Sequence, residues 1–206
     1  VAANATGLVR VGTVDIGGNT FTVTQSGGID NIWLPKTDFG GMARHAAVGF
    51  SIGTRGYIGT GWDGSTRMKD FWEYDPAANT WTQKADFGGT ARYYAVGFSI
   101  GTRGYIGTGW DGSTYKKDFW EYSPTANTWT KKTDFGGTAR GLAVGFSIGT
   151  RGYIGTGFDG SSYRKDFWEY DPVANAWTKM ADFGGTARMY AVGFSVGSKG
   201  YIGTGS

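Results

Sequence analysis

Val48-Gly49-Phe50-Ser51-Ile52-Gly53-Thr54-Arg55-Gly56-Tyr57-Ile58-Gly59 carries the reading of the whole chain. From His45 to Ile52 the residues alternate. Val48, Phe50 and Ile52 fall on one side and Ala47, Gly49 and Ser51 on the other, which is the period of a β-strand with one bulky and one small face. Gly53-Thr54-Arg55-Gly56 reads as a tight connection, and Tyr57-Ile58-Gly59 opens a second strand. The stretch then returns at a fixed step of 48 residues. Gly56-Tyr57-Ile58-Gly59-Thr60-Gly61 recurs from Gly104, Gly152 and Gly200, and Trp33 recurs as Trp81, Trp129 and Trp177. Asp38-Phe39-Gly40-Gly41 recurs from Asp86, Asp134 and Asp182. A period of this size marks an array of supersecondary units that bury their faces on one another.

The rest of one period supplies two more strands. Trp62-Asp63-Gly64-Ser65-Thr66 reads as a turn and loop, because Asp-Gly is a favourable turn pair. Asp70 to Tyr74 alternates again, and Asp75-Pro76-Ala77-Ala78-Asn79 breaks the ladder, since proline has no N–H to give. Thr80 to about Lys84 forms the fourth strand, ahead of the Phe87-Gly88-Gly89 turn. Four short strands per period predict an all-β propeller of four-stranded antiparallel blades, with bulky side chains of one blade seated over the glycine and alanine of the next. Thirty-eight glycines, nine tryptophans, twelve tyrosines and thirteen phenylalanines against four prolines suit that architecture.

An arginine, an alternating strand, a Tyr-containing second strand, an Asp-Gly loop, an aromatic-Tyr-Asp-Pro strand end and Asn-x-Trp follow one another in a fixed order, and this order resembles the kelch repeat over about residues 31 to 206. One departure is visible: the adjacent glycine pair that ends the second strand in that family stands here as Gly59-Thr60-Gly61, Gly107-Thr108-Gly109 and Gly155-Thr156-Gly157. The resemblance implies a kelch-type β-propeller of about four blades, three complete and one split, with blades set around a channel. It also implies a binding module more often than an enzyme.

Within this constant frame a few positions change from blade to blade. After the recurring Arg44, Arg92, Arg140 and Arg188 come His45-Ala46, Tyr93-Tyr94, Gly141-Leu142 and Met189-Tyr190. In the Asp-Gly loop Arg67-Met68 becomes Tyr115-Lys116 and then Tyr163-Arg164. The link from fourth to first strand and the link from second to third lie at the same end of a blade. The resemblance implies that the loop arginine and the loop aromatic line a ligand face at this end, which here are the four arginines and Trp62, Trp110 and Phe158. With them His45, Tyr93, Tyr94, Tyr115, Tyr163 and Tyr190 are candidate ligand-binding residues for a protein or glycan. Interlocking of blades by the arginines is the competing structural reading.

The sequence holds no catalytic set. Gly59-x-Gly61-x-x-Gly64 matches a dinucleotide pattern, but a loop and an aromatic strand follow it where a phosphate cradle needs a helix. Asp-Phe-Gly recurs four times without the lysine and catalytic loop of a kinase. His45 is the single histidine, and with no cysteine the chain offers neither a thiolate metal site nor a copper-radical centre. One loop carboxylate per blade, Asp63, Asp111 or Asp159, falls short of the six to eight oxygens that calcium takes. No cofactor and no metal are expected. A net charge of +3 spread over 20 basic and 17 acidic residues gives no run of one sign, so nucleic acid is not an expected partner. No apolar run reaches membrane-spanning length.

Residues 1 to about 28 leave the period. Val9 to Gln25 reads as a β-hairpin about Gly17-Gly18, similar to the last two strands of a bacterial extracellular immunoglobulin-like (BACON-type) module or else a plain edge hairpin. Two domains are expected, a hairpin segment over 1–30 and propeller repeats over 31–206, in a mature chain or a piece of a longer one. Strand order leaves one blade split between a fourth-type strand at Trp33 and the last two strands, and Phe21 to Gln25 lies at the right distance to complete it. The leading expectation is an extracellular or cell-surface bacterial recognition module without catalysis. Two alternatives stay open: a sugar-active epimerase or lyase, and a subunit that self-associates through its incomplete blade.

Overall fold

The computed structural model describes residues 10–16, 19–25 and 33–206, and divides the chain into Val1–Lys36 and Thr37–Ser206. In the first unit β1 (Arg10–Ile16) and β2 (Asn19–Gln25) pair antiparallel, from Arg10 opposite Gln25 to Ile16 opposite Asn19. The Gly17-Gly18 connection expected at their junction lies outside the described residues. Among the described residues β2 pairs with β1 alone, and Trp33 is fully exposed in no strand.

The second unit contains three four-stranded sheets and one two-stranded sheet. β3 (Val48–Ile52), β4 (Arg55–Gly59), β5 (Phe71–Asp75) and β6 (Thr80–Lys84) form the first meander. β7 (Val96–Ile100), β8 (Arg103–Gly107), β9 (Phe119–Ser123) and β10 (Thr128–Lys132) form the second. β11 (Val144–Ile148), β12 (Arg151–Gly155), β13 (Phe167–Asp171) and β14 (Ala176–Lys179) form the third. β15 (Val192–Val196) and β16 (Lys199–Gly203) are the inner half of a fourth. First strands pack in succession, β3 on β7, β7 on β11 and β11 on β15, and β3 does not meet β15, so the array is open.

Alternation on the first strand sets how blades meet. Val48 and Phe50 project forward from one blade onto the backbone of the next. A Cβ added to Gly97 would lie 2.7 Å from the Val48 Cβ, and one at Gly104 would lie 2.6 Å from the Phe50 ring. Gly145 and Gly152 meet Val96 and Phe98 in the same way at 2.8 and 2.5 Å. Only hydrogen fits at these positions, so the glycines are sockets for the bulky side chains. Farther from the first strand, Phe71 packs edge-on against Tyr122 at 4.9 Å and Trp129 at 5.0 Å of the next blade, and Phe119 repeats this with Tyr170 and Trp177. Tyr105, Phe119, Tyr122 and Tyr170 are buried outright, whereas Trp81, Trp129 and Trp177 are half-buried. Each of these tryptophans instead donates its ring N–H to a carbonyl of the incoming linker, Thr37, Ala85 or Thr133, at 3.1–3.3 Å.

A second device clips the linker entering each blade to that blade's own loop end. The Arg92 guanidinium, fully buried, donates to Asp118 at 2.6 and 2.8 Å and to the Thr108 carbonyl at 2.9 Å. It lies 4.9 Å over the Phe87 ring. Arg140 holds Asp166, Thr156 and Phe135 in the same way, and Arg44 holds Asp70, Thr60 and Phe39. The recurring Asp-Phe-Gly-Gly is thus a structural turn. Its phenylalanine carries the arginine, and a Cβ at Gly88 would strike the Trp120 ring at 2.6 Å. The threonine that departs from the family's glycine pair is also accounted for. Thr60, Thr108 and Thr156 stand at φ of 59°, 60° and 59°, a region glycine enters freely, each presenting its carbonyl to the arginine while its buried hydroxyl has no partner.

Burial raises the Asp118 carboxyl, but hydrogen bonds and charge from Arg92 together with the Trp120 N–H outweigh it, and the group sits below the ordinary carboxylate value; Asp70 and Asp166 behave alike. A carboxyl depressed in the folded state contributes stability that is complete above its unfolded value and is lost as pH falls through the folded one. Melting temperature should therefore be level from pH 7 to about 5 and fall below about pH 4. Asp118→Asn should lose about 3 kcal/mol at neutral pH, because Arg92 is left buried without its counter-charge, and should flatten the acid limb. The socket glycines give a sharper test. Gly152→Ala should cost about 1–3 kcal/mol in denaturant titration through overpacking against Phe98. Gly56→Ala, at the same repeat position but with nothing nearer its Cβ than 3.8 Å, should leave the dilute protein as stable or slightly more so.

Candidate functional site

The loop end of each blade is built from three short segments stitched by single β-bridges. His45 pairs with Trp62 and Trp62 with Arg67 in the first blade, Tyr93 with Trp110 and Trp110 with Tyr115 in the second, Gly141 with Phe158 and Phe158 with Tyr163 in the third. Both segments that vary between blades therefore lie side by side, with the loop aromatic between them. Asp63, Asp111 and Asp159 hold the loops by accepting backbone N–H groups two and three residues on, as from Ser65 at 2.8 Å and Thr66 at 2.6 Å.

A backbone ladder joins one blade's loop end to the next. The N–H of Tyr94 donates to the Ala46 carbonyl at 3.1 Å, Leu142 to Tyr94 at 3.0 Å and Tyr190 to Leu142 at 3.2 Å. All four residues stand at positive φ, between 53° and 60°. The turn is fixed by the neighbouring blade, which leaves the side chain free to vary.

On this frame most of the candidate residues come together. Trp62 stacks on Tyr93 at 5.4 Å, Tyr93 meets Tyr94 at 4.5 Å, and Tyr94 meets Tyr190 edge-on at 5.7 Å. The Tyr190 hydroxyl donates to that of Tyr94 at 3.2 Å. A second run goes from Trp110 to Tyr115 at 4.6 Å, to Phe158 at 5.8 Å and to Tyr163 at 5.5 Å. Gly141 lies between the two runs, within 3.2 Å of the Tyr115 ring and 3.3 Å of the Tyr94 Cβ measured from an added Cβ. His45 flanks Trp62 at 5.3 Å and is exposed, as are Tyr163 and Tyr190.

The arginines divide. Arg44, Arg92 and Arg140 have their guanidinium groups buried in the blade clips, away from any direct contact with a ligand. Arg188 keeps its bonds to the Thr204 carbonyl and Thr186 hydroxyl and has no carboxylate partner among the described residues. The structure adds three charged residues to the face, Arg67, Lys116 and Arg164. Lys116 pairs with Asp111 at 2.5 Å, Arg164 pairs with Asp159, and the Arg67 side chain lies over Gly112. Their signal in the sequence is the one that marks their neighbours, change from blade to blade on a constant loop.

Two phenols and the three loop carboxyls of the face are shifted away from the neutral range. The hydrogen bond from Tyr190, with burial and neighbouring phenols, pushes Tyr94 up to about 12, and burial with nearby Tyr93, Tyr190 and Asp159 raises Tyr115. Asp111 is lowered to about 2, since Lys116 and two backbone N–H groups outweigh its burial; Asp159 is lowered likewise with Arg164, and Asp63 by the N–H groups of Thr66 and Ser65. A general acid needs a carboxyl shifted the other way. Among the described residues no three His, Cys, Asp or Glu side chains gather as metal ligands do.

Comparison with known proteins agrees with this geometry. The Kelch motif matches residues 61–88 and 157–184, each running from the loop face of one blade through its outer strands to the next Asp-Phe-Gly turn. No curated protein matches the chain. The solved structure of YjhT is similar at a TM-score of 0.71 and 19% identity, over 82% of this chain and 59% of that one. At that identity the likeness concerns the fold, and this chain spans somewhat over half the length of the other. Two matched Kelch motifs therefore lie in a chain of 48-residue period whose antiparallel four-stranded sheets, interlocked through their first strands, are blades of the kelch-type β-propeller fold.

Proposed function

We propose that the chain is a non-catalytic recognition module that binds a protein partner through the aromatic loop face, in an extracellular or cell-surface setting. The observation that carries the reading is where variation falls: residues that change between otherwise matching blades converge on one end as two aromatic runs, Trp62–Tyr93–Tyr94–Tyr190 and Trp110–Tyr115–Phe158–Tyr163. Tyrosine and tryptophan bring large apolar area and a polar tip with little entropy lost on binding, which is why they dominate protein hot spots. Of the six ring contacts in these runs one is stacked, three are tilted and two are edge to face, so the rings lean on one another. That favours a protein surface over a sugar ring, which stacks on an open ring face. Kelch propellers are for the most part interaction modules, which agrees. The fixed charge states of the loop acids and phenols support binding over acid–base chemistry. The extracellular setting rests on the sequence likeness of the preceding hairpin to a secreted immunoglobulin-like module.

Tyr163 and Tyr190 are exposed and Tyr115 is half-buried against Trp110 and Phe158, so the three should behave differently. Tyr163→Ala and Tyr190→Ala should each move stability by no more than about 0.5 kcal/mol. Their double variant should weaken capture of the cognate surface protein by about tenfold or more. Tyr115→Ala should lower both the melting temperature and binding. The measurement is affinity capture from surface-protein extracts alongside a glycan array. Glycan binding lost in the double variant would move the ligand class to carbohydrate, and folded protein that retains neither class would remove the proposal.

A further inference from the structure

A groove follows the joint between the second and third blades. Two adjoining cavities of about 430 and 580 Å³ form it, with Lys117 and Ala139 in the walls of both. Tyr115 and Lys116 line the first, and the linker 136–139 with Trp168 and Lys179 lines the second. Both flanking blades have all four strands, so the groove belongs to neither end of the array. Its carboxylates are already met: Asp118 by Arg92, Asp166 by Arg140, and Asp134 by Lys131 at 3.3 Å. Lys116 is committed in turn to Asp111. Lys117 is the exception. Its counterpart in the first blade, Lys69, reaches Asp86 at 3.6 Å, and there the position of Lys131 is held by Gln83. With a lysine in place of that glutamine, Asp134 has another partner, and among the described residues Lys117 is exposed and pairs with no carboxylate. Across the second cavity Lys179 meets Asp182 only at 3.7 Å and is 56% exposed. The N–H groups of Gly136, Gly137, Thr138 and Ala139 donate to no backbone carbonyl among the described residues.

We propose that this groove receives an extended acidic segment of a partner protein, with one carboxylate seated on Lys117 and the segment running on toward Lys179. Charge chooses an acidic occupant, because the carboxylates of the walls are neutralised and an ammonium is left over. Shape chooses a chain. Two cavities in succession hold more than one small carboxylate, and an extended segment sets alternate side chains on one side while its carbonyls can accept from the linker N–H groups. A sugar finds less to stack on, since Gly136 lies against the Trp168 ring and the ring N–H is spent on Asp166 at 2.8 Å. The first unit of this chain brings no acidic run of its own: Val1–Lys36 holds Asp15 and Asp30 against Arg10 and Lys36. Lys117 and the linker lie outside both aromatic runs, so the groove can bind whether or not that face does.

Fluorescence anisotropy of the full chain with a labelled peptide of alternating glutamate and alanine tests this, beside a control peptide of glutamine and alanine. The expected result is saturable binding of the glutamate peptide alone, weakening as salt is added. Lys117→Glu turns the attraction into a repulsion and should weaken binding about tenfold. Lys69→Glu makes the same change in net charge at the repeat position whose lysine is already paired, and should leave binding within about twofold of wild type. Lys131→Gln reproduces the first blade, releases Asp134 to Lys117, and should weaken the peptide about threefold; it also serves as the test should Lys117→Glu misfold. Far-UV spectra of the three variants should match that of wild type, since each lysine is exposed. Equal losses in Lys117→Glu and Lys69→Glu would overturn the proposal, because the peptide would then be reading overall charge. So would a wild-type chain that binds neither peptide, or one that binds an oligogalacturonate and not the glutamate peptide, which would make the occupant an acidic sugar.

Discussion

The steric fit of a valine and a phenylalanine over glycine backbone is the constraint on which the rest of this structure depends. With Val48 and Phe50 pressed onto Gly97 and Gly104, the backbones of successive first strands approach more closely than any larger residue at the socket would allow. Close approach brings Phe71 within reach of Tyr122 and Trp129, and brings the Tyr94 N–H to the Ala46 carbonyl. Each blade therefore borrows much of its core from the next, as expected of an array whose units bury their faces on their neighbours. Where the following blade consists of β15 and β16 alone, Phe167 faces an apolar cavity of about 300 Å³ lined by Phe146, Ile148, Tyr153, Phe183, Gly200 and Ile202.

The arginine clips fix the other coordinate, the position of the loops relative to the sheets. A buried guanidinium is tolerable only when its donors are met. Arg92 meets them with a bidentate carboxylate, a carbonyl and a side-chain hydroxyl while resting on a phenylalanine. That demand explains the constancy of four separated elements: the arginine, Asp118 and its equivalents, the Gly-Thr-Gly corner, and the Asp-Phe-Gly-Gly turn. It also frees the residue that follows. Once Tyr94 or Leu142 has its backbone held at positive φ by the next blade, its side chain contributes little to folding and is available to specify a partner.

Recognition and scaffold are thereby separated by a few ångströms, not by domain. Half-buried rings such as Tyr115, tilted against Trp110 and seated over Gly160, belong partly to both, while Tyr163 and Tyr190 at the rim belong to the face alone. A face assembled from consecutive blades is polyvalent by construction, with a histidine and arginine on one side, tyrosines in the middle and phenylalanine with tyrosine on the other.

The repeat, the strands and the blade type were legible in the amino-acid order because each follows from local rules. Two-residue alternation marks a strand, Asp-Gly and Asp-Pro mark turns, and a 48-residue period marks identical units. The convergence of the variable positions on one end was legible too, since strand count and direction alone decide which links share an end. What the order of residues did not disclose is whether a given side chain is spent inside the fold. Arg92 and Arg188 sit in the same motif, yet one is sealed under a phenylalanine and a carboxylate and the other lacks that carboxylate, a difference made by the presence of a third strand beside it. Likewise Trp33 and Trp81 share a repeat position, and among the described residues Trp81 lies in a paired strand and Trp33 in none. Local sequence determined what each unit is; the neighbouring unit decided what each residue does, because in this architecture the environment of a side chain is supplied by residues about one period away.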